Sequence, residues 1–340
     1  MAERADAACN EILTLLSETG EPLGATQISR ALKSRGMDLQ PRSVRHYLGR
    51  LDAAGMTEQV SRRMGRRITV LGREEAARVN VVRKIGFVAA RVDVLAYRMS
   101  YNLRQEKGTL VGNVAVIRKR DLSRAMHSIQ PVFKAKLGMG TKLALVEDRA
   151  TLGGVLHKPT EILIGTVCSV TANGILMREG IPVTSRFGGL LELRDGEPVR
   201  FVQLIEYRGT TVDPLEVFIQ AGMTRVGEAA RTGNGVVGVS FREIPSDAVA
   251  QVARIHAMME CQGLGGIVKI GDPNQPLFDV PVAEGRTGII VMGGMNPFAA
   301  LHEAGVPVTV HSLAALEDAA AFSAYNEWAY RGRRPAPYVD

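Results

Sequence analysis

The sequence predicts a mixed α/β (α+β) chain: an N-terminal winged helix-turn-helix followed by an internally duplicated α/β domain. Three observations carry that prediction. Positive charge is concentrated near the N-terminus, with eight Lys/Arg against two Asp/Glu between residues 40 and 73, in a chain whose total is +7. A helical apolar stripe inside that stretch is bordered by arginines and followed by a basic hairpin pattern. The remainder repeats a series of landmarks in constant order, Pro182 recurring as Pro307, 125 residues later.

Taken in order, residues 5–16 read as an opening helix with Ala8, Ile12, Leu15 and Leu16 on its apolar face. Thr26 to Lys33 reads as a shorter helix stopped by Gly36. Pro41 to Ala54 reads as a third, because Val44, Leu48 and Leu51 recur at i, i+4 and i+7. Pro41 suits a first helical turn and Gly55 the position just past the end. Arg42, Ser43, Arg45, His46 and Arg50 lie off the stripe and face outward. Glu58 to Val60 and Arg67 to Val70 then flank a tip holding Arg62, Arg63, Gly65 and Arg66, the pattern of a hairpin wing.

A helix fits the major groove, so the outward face of the third helix is the candidate base reader. Arg62, Arg63, Arg66 and Arg67 are candidate phosphate contacts, since neutralising the backbone supplies much of the affinity. The expected partner is a double-stranded DNA operator. The competing reading is a small protein-interaction domain with a solvated basic face. Residues 1–73 form this domain, and 74–98 read as a helical connector, broken at Gly86, that joins or belongs to the next core.

The duplication occupies residues 99–325, with copies at about 99–200 and 224–325 and a tail at 326–340. Gly180-Ile181-Pro182-Val183-Thr184 recurs as Gly305-Val306-Pro307-Val308-Thr309, and Gly138-Met139-Gly140 as Gly263-Leu264-Gly265. Val111-Gly112-Asn113-Val114 matches Val237-Gly238-Val239-Ser240, and Asn173 matches Asn296. Each copy reads as a hairpin (at Lys107-Gly108, then Asn234-Gly235), a helix (121–135, then 246–260) and a strand after the glycine turn. A further strand (161–170, then 287–292) leads through an Asn loop into a short helix and the Pro-Val-Thr segment. Two such halves form an α/β domain whose natural ligand site is the cleft between them.

Gly233-Asn234-Gly235-Val236-Val237-Gly238 matches the dinucleotide fingerprint in spacing only. A strand, not a helix, is expected after it. Thr211 to Glu216 reads as a helix start, with Asp213 as cap, Pro214 in the first turn and Glu216 closing a capping box. At Val291 to Ala300 an apolar strand ends in two glycines, and a helix begins at Pro297 with Asn296 as cap. Free N–H groups at such a turn suit a carboxylate or phosphate, against the plainer reading of a tight strand-to-helix turn. Thr184-Ser185-Arg186 supplies hydroxyls and a cation. The expected anion pocket therefore comprises Thr184, Ser185, Arg186, Gly293, Gly294 and Asn296, with Arg225, Arg242 and Lys158 as alternative cations.

Other classes are disfavoured. No apolar run reaches the ~18 residues of a membrane span. Met1-Ala2-Glu3-Arg4-Ala5-Asp6 is no signal region, so a cytoplasmic protein without a membrane partner is expected. Cys9, Cys168 and Cys261 are far apart, which excludes a disulfide framework or zinc ribbon and predicts three free, mostly buried thiols. No HExxH, P-loop or acidic metal cluster occurs, so no enzyme, metal or cofactor is expected. The rivals are an enzyme acting on a small dicarboxylate or amide with an appended DNA-binding domain, and a ligand-free scaffold.

Five segments resemble the nitrogen regulatory protein R (NrpR) family of transcriptional repressors. They are Phe87-Val88-Ala89-Ala90-Arg91, Ile205-Glu206-Tyr207-Arg208-Gly209, Asp213-Pro214-Leu215-Glu216-Val217-Phe218-Ile219, Phe241-Arg242-Glu243-Ile244-Pro245 and Gly293-Gly294-Met295-Asn296-Pro297. The resemblance implies a winged helix followed by one duplicated regulatory domain. It also implies repression of nitrogen-assimilation genes, relieved by 2-oxoglutarate as a small dicarboxylate effector. A homodimer or higher homo-oligomer would then present two readers to two half-sites about 34 Å apart.

Overall fold

Ile12, Leu15, Leu16, Ile28, Leu32, Val44, Leu48 and Leu51 are drawn into one buried cluster, and this cluster organises the N-terminal helices. In the computed structural model these are α1 (Ala2–Thr19), α2 (Ala25–Ser34) and α3 (Pro41–Ala53). Strands β1 (Thr57–Ser61) and β2 (Gly65–Ile68) pair antiparallel, and a bridge from Leu23 to Arg66 adds a third chain segment to the wing. Gly65 has φ +90°, and a Cβ there would stand 2.1 Å from the Leu23 carbonyl, so only glycine permits the bridge. The structure describes residues 2–61, 63–76, 87–147 and 151–328. Arg62, the connector at 77–86 and the tail from 329 lie outside them.

Contacts divide the chain into two units, Met1–Gly86 with Val146–Glu161, and Phe87–Leu145 with Ile162–Asp340. In the first unit Arg35 anchors the later segment. Its Nε and Nη2 donate to the Gly154 carbonyl at 3.1 and 2.9 Å, and Leu156 packs against the helix cluster. The stretch read as a connector is thus divided, and its second part, α4 (Val88–Arg98), buries Val88, Val92 and Ala96 in the second unit.

The second unit holds the duplicated elements. The first copy runs β3 (Thr109–Arg118), α5 (Leu122–Lys134), β4 (Lys142–Val146), β5 (Glu161–Val167), α6 (Val170–Arg178) and β6 (Thr184–Arg194). After β7 (Glu197–Glu206), α7 (Pro214–Gln220) and α8 (Val226–Thr232) comes the second copy. It runs β8 (Gly235–Pro245), α9 (Val249–Cys261), β9 (Ile267–Ile270), β10 (Arg286–Met292), α10 (Asn296–Glu303) and β11 (Thr309–Asp318), before a short β12 (Ser323–Ala324).

The two sheets have the orders β7-β6-β8-β10-β9 and β11-β3-β5-β4-β12. The copies therefore exchange their last strands. β6 ends the first copy but pairs with β8, and β11 ends the second but pairs with β3. One apolar core runs through both copies, from Ile129 and Phe133 to Phe298 and Leu301.

Three local expectations are corrected. Asn234-Gly235 is no hairpin: Gly233, at φ +78°, ends α8, and the chain passes directly into β8. Glu216 closes no capping box, because its carboxylate accepts from Ser312 Oγ (3.0 Å), although Asp213 does cap by accepting from the Leu215 N–H (2.9 Å). Of the thiols only Cys168 is buried, while Cys9 is half-buried and Cys261 exposed.

Candidate functional site: a basic reader and a buried donor pocket

On the first unit, Val44, Leu48 and Leu51 are buried, so the helical period turns Arg42, Arg45, His46 and Arg50 outward, with Ser43 half-buried. On the wing, Arg63 is exposed. The neighbouring arginines are less free. Arg66 Nε lies 2.7 Å from Asp52 Oδ2 in a half-buried pair, and Asp52 Oδ1 accepts from Thr57 Oγ1 at 2.6 Å. Arg67 pairs with Glu58 at 2.6 Å, both more than half exposed. Such an exposed pair contributes little and releases its guanidinium readily, whereas Arg66 belongs to the fold of the wing.

In the second unit a small pocket forms where β6, β8 and the two strand-to-helix turns meet. Its walls include Asn113, Cys168, Ser169, Ser185, Tyr207, Asp213, Arg242, Gly294 and Leu313. Register selects these residues. Ser185 lies opposite Arg242 across the antiparallel β6–β8 pair, so the two share a face of the sheet. Arg186 occupies the irregularity between Ser185 and Phe187, and it turns away from that face. It pairs with the buried Glu243 and stacks over the Phe187 ring at 5.1 Å. The expected cation is thus engaged elsewhere, and Arg242, one of the alternatives, stands in the pocket.

The remaining expected residues divide. Ser185 lines the pocket and accepts from Asn173 Nδ2 at 2.9 Å, while Thr184 is exposed at the strand start. Gly294 lines it too. A Cβ on Gly294 would come within 2.2 Å of the Val167 carbonyl, so the glycine lets the two turns abut. The Gly293 N–H is already spent on the Gly238 carbonyl (2.8 Å). Asn296 does not cap its helix. Its Oδ1 accepts from the Gly238 N–H, and its Nδ2 donates to the Gly238 and Leu137 carbonyls, all within 2.9 Å. Its counterpart in the first copy is Thr171, whose hydroxyl meets the Val111 backbone in the same way (3.2 and 3.3 Å), and not Asn173.

The pocket's electrostatics are unusual. Arg242 is 1% exposed, and among the described residues its side chain makes one hydrogen bond, from Nη2 to Ser169 Oγ at 3.0 Å. Its Nε and Nη1, and Asn113 Nδ2, are buried without a hydrogen-bond partner among the described residues. All three are donors. Burial depresses the Arg242 pKa, yet a guanidinium stays charged in proteins. Burial also pushes the Cys168 thiol up to about 11 and raises Tyr207, so neither supplies a negative charge. Asp213 is pushed up to about 6 by desolvation, offset in part by the Leu215 N–H. The enclosed space is about 10 Å³, room for one water. A larger hollow of about 250 Å³ lies at the glycine turns around Gly140 and Gly263, and none of its lining side chains has an unpartnered buried polar atom.

Four of the five segments quoted from the sequence supply walls of the donor pocket, through Tyr207, Asp213, Arg242 and Gly294. The missed signal was the arginine in Phe241-Arg242-Glu243, set between residues of a strand buried on both faces.

Residues 85–324 match the family model described as NrpR regulatory domains NRD1 and 2, and residues 10–76 match that of the Ribonuclease R winged-helix domain. The global nitrogen regulator NrpRI of Methanosarcina mazei is 32% identical over 91% of this chain and 94% of its own length. The global nitrogen regulator NrpR of Methanococcus maripaludis is 29% identical over 91% of this chain, which spans 53% of that longer relative. The crystal structure of a nitrogen repressor-like protein from Methanococcus jannaschii aligns over 71% of this chain and 99% of its own, with a TM-score of 0.60 and 25% identity. No helix among the described residues is long and apolar enough to cross a membrane.

Proposed function

The chain belongs to the family of NrpR nitrogen regulators, and from that premise we propose that it is a DNA-binding repressor of nitrogen-assimilation genes whose grip on its operator is relieved by 2-oxoglutarate. The reader is the outward face of α3, with Arg63 and Arg67 of the wing on phosphates. The working form is a homodimer, matching two half-sites.

The observation that carries the effector reading is Arg242. A buried guanidinium with unfilled donors is costly, and the cost falls when a carboxylate takes them. Nε and Nη1 have no partner among the described residues, and Asn113 Nδ2 is a third unfilled donor at the same pocket. Space for one water accepts at most a carboxylate end, so a whole dicarboxylate binds a wider form of the pocket. That difference is what regulation requires, because a ligand shifts an equilibrium only by its differential affinity for two states.

The test is a binding assay on the chain's own promoter region, with and without 2-oxoglutarate, using wild type and Arg242→Met. Wild type should release DNA when the dicarboxylate is added, and the variant should bind DNA equally well and ignore it. Full release of the variant would place the effector site elsewhere. Turnover of the dicarboxylate would favour the enzyme reading instead.

A further inference from the structure

Helix α4 carries two apolar stripes. Val88, Val92 and Ala96 are buried in the second unit. On the other side Phe87, at the N-cap, and Ala90, Val94 and Tyr97 lie exposed, with Phe87, Val94 and Tyr97 at 53%, 52% and 80%. Their spacing of three, four and three residues is that of coiled-coil a and d positions. A second apolar seam left in water is the mark of an interaction surface.

We propose that this outer face of α4 is the seam on which a second copy of this chain docks, the two helices running parallel. The inference rests on the homodimer reading above and names its surface. Charge selects a second copy as the occupant. With Phe87 and Val94 at a, Asp93 falls at g and Arg98 at the following e. In a parallel pair, g of one helix faces that e of the other, so Asp93 meets Arg98 across the seam twice. An antiparallel pair would lose this match. Parallel docking also brings residue 87 of both copies to the same end of the seam.

Eleven helical residues span only about 16 Å, less than an interface of ~1,200 Å² needs. The surface continues beyond them. The Val88 N–H donates to the Thr210 carbonyl (2.9 Å), which brings the 210–212 loop with its exposed Val212 beside the start of the seam. Arg91 reaches the Ser312 carbonyl, and Ser312 Oγ donates to Glu216 of α7, next to the exposed Val217.

Sedimentation equilibrium of the full chain tests this. Val94→Asp should weaken dimerisation by roughly 30-fold or more. Asp93→Arg alone and Arg98→Asp alone should each weaken it about 5–10-fold, since each places like charges across the seam. Mixing these two variants should restore wild-type association, because every cross pair is then Arg against Asp. That rescue also shows that both variants are folded. A dimer indifferent to all three changes, or a mixture that stays as weak as its components, overturns the seam while leaving the homodimer intact. A monomeric wild type overturns the homodimer reading itself and the seam with it.

Discussion

The Arg242 guanidinium donates to Ser169 Oγ at 3.0 Å and to nothing else among the described residues, although it is 1% exposed. Ser169 belongs to the first copy and Arg242 to the second, so the one hydrogen bond of this buried cation joins the two halves of the regulatory domain. A hydroxyl neutralises none of its charge. The β6–β8 ladder and the shared core hold the halves together, and a carboxylate would compete with Ser169 for this one contact.

Replacing Arg242 should therefore separate stability from response. Arg242→Met keeps the apolar length and removes a buried charge with unfilled donors, so it should stabilise the effector-free protein by about 1–3 kcal/mol and abolish 2-oxoglutarate binding. Arg186→Ala should do the reverse. It leaves Glu243, 3% exposed, without its partner, which costs about 3 kcal/mol, while effector binding persists. Denaturant unfolding with calorimetry on both variants reads the contrast. A destabilised Arg242→Met that still binds would mean the arginine is structural.

Asp213 makes the domain lose stability as pH rises from mild acid to neutral. Burial raises its folded-state pKa to about 6 from 3.8. The group prefers the protonated form when folded, so its contribution is fully present below about pH 4 and is lost as pH rises through about 6. Relative to Asp213→Asn, which keeps a capping oxygen for the Leu215 N–H, wild type should lose on the order of 2–3 kcal/mol between pH 4 and 7. Urea midpoints of both proteins at four pH values check this. A constant difference between them would show that Asp213 does not titrate in that window. Effector binding should also tighten toward pH 5.5, as the ionised carboxylate that repels an anion disappears.

What was legible in the sequence was whatever repeats locally. The stripe of Val44, Leu48 and Leu51 repeats at the helical period, so it assigned both the core and the outward arginines of α3. The order of elements in the duplicated domain was legible too, apart from the hairpin expected at Asn234-Gly235, because the same punctuation occurs twice. The pocket cation was not. Whether Arg186 or Arg242 enters depends on the register between strands of different copies and on one irregularity beside Ser185, and both are long-range. The match of Asn173 to Asn296 failed for another reason. It paired identical residue types, whereas the copies preserve a role that Thr171 fills with a hydroxyl and Asn296 with an amide.

On the reader, the arginines should fall into three behaviours. Arg45→Ala should cost about 1–3 kcal/mol on the preferred operator and relax its sequence preference. Arg67→Ala should weaken binding to all sequences alike and flatten the log–log salt dependence by roughly 0.9. Arg66→Ala should act first on stability, because it strips the half-buried Asp52 of its partner. Salt titrations on matched and scrambled duplexes, beside a thermal melt, distinguish the three. If Arg66→Ala melted like wild type while losing one phosphate's worth of slope, Arg66 would rank as a DNA contact and its pairing with Asp52 as incidental.

The turn at Asn296 offers the sharpest distinction between a fold role and a ligand role. Its amide satisfies the Gly238 N–H and two carbonyls in a place that is 2% exposed. Asn296→Ala takes the partner from the Gly238 N–H and the Leu137 carbonyl, while the Gly238 carbonyl keeps the Gly293 N–H, and each buried group left unpaired costs about 1–3 kcal/mol. Asn296→Asp keeps the acceptor for Gly238 but loses both donations and buries a charge, so it should be no better. Thr171 makes the matching contacts to Val111 in the other copy. Thr171→Val should repeat the effect at smaller size, because one hydroxyl replaces an amide, and Thr171→Ser should retain it. Neither Asn296→Ala nor Thr171→Val touches the Arg242 donors, so effector affinity measured well below the melting temperature should change less than twofold. Unfolding free energies and calorimetric titration of the same samples decide the matter. A variant at Asn296 that unfolds like wild type but loses the effector would return this residue to the ligand site.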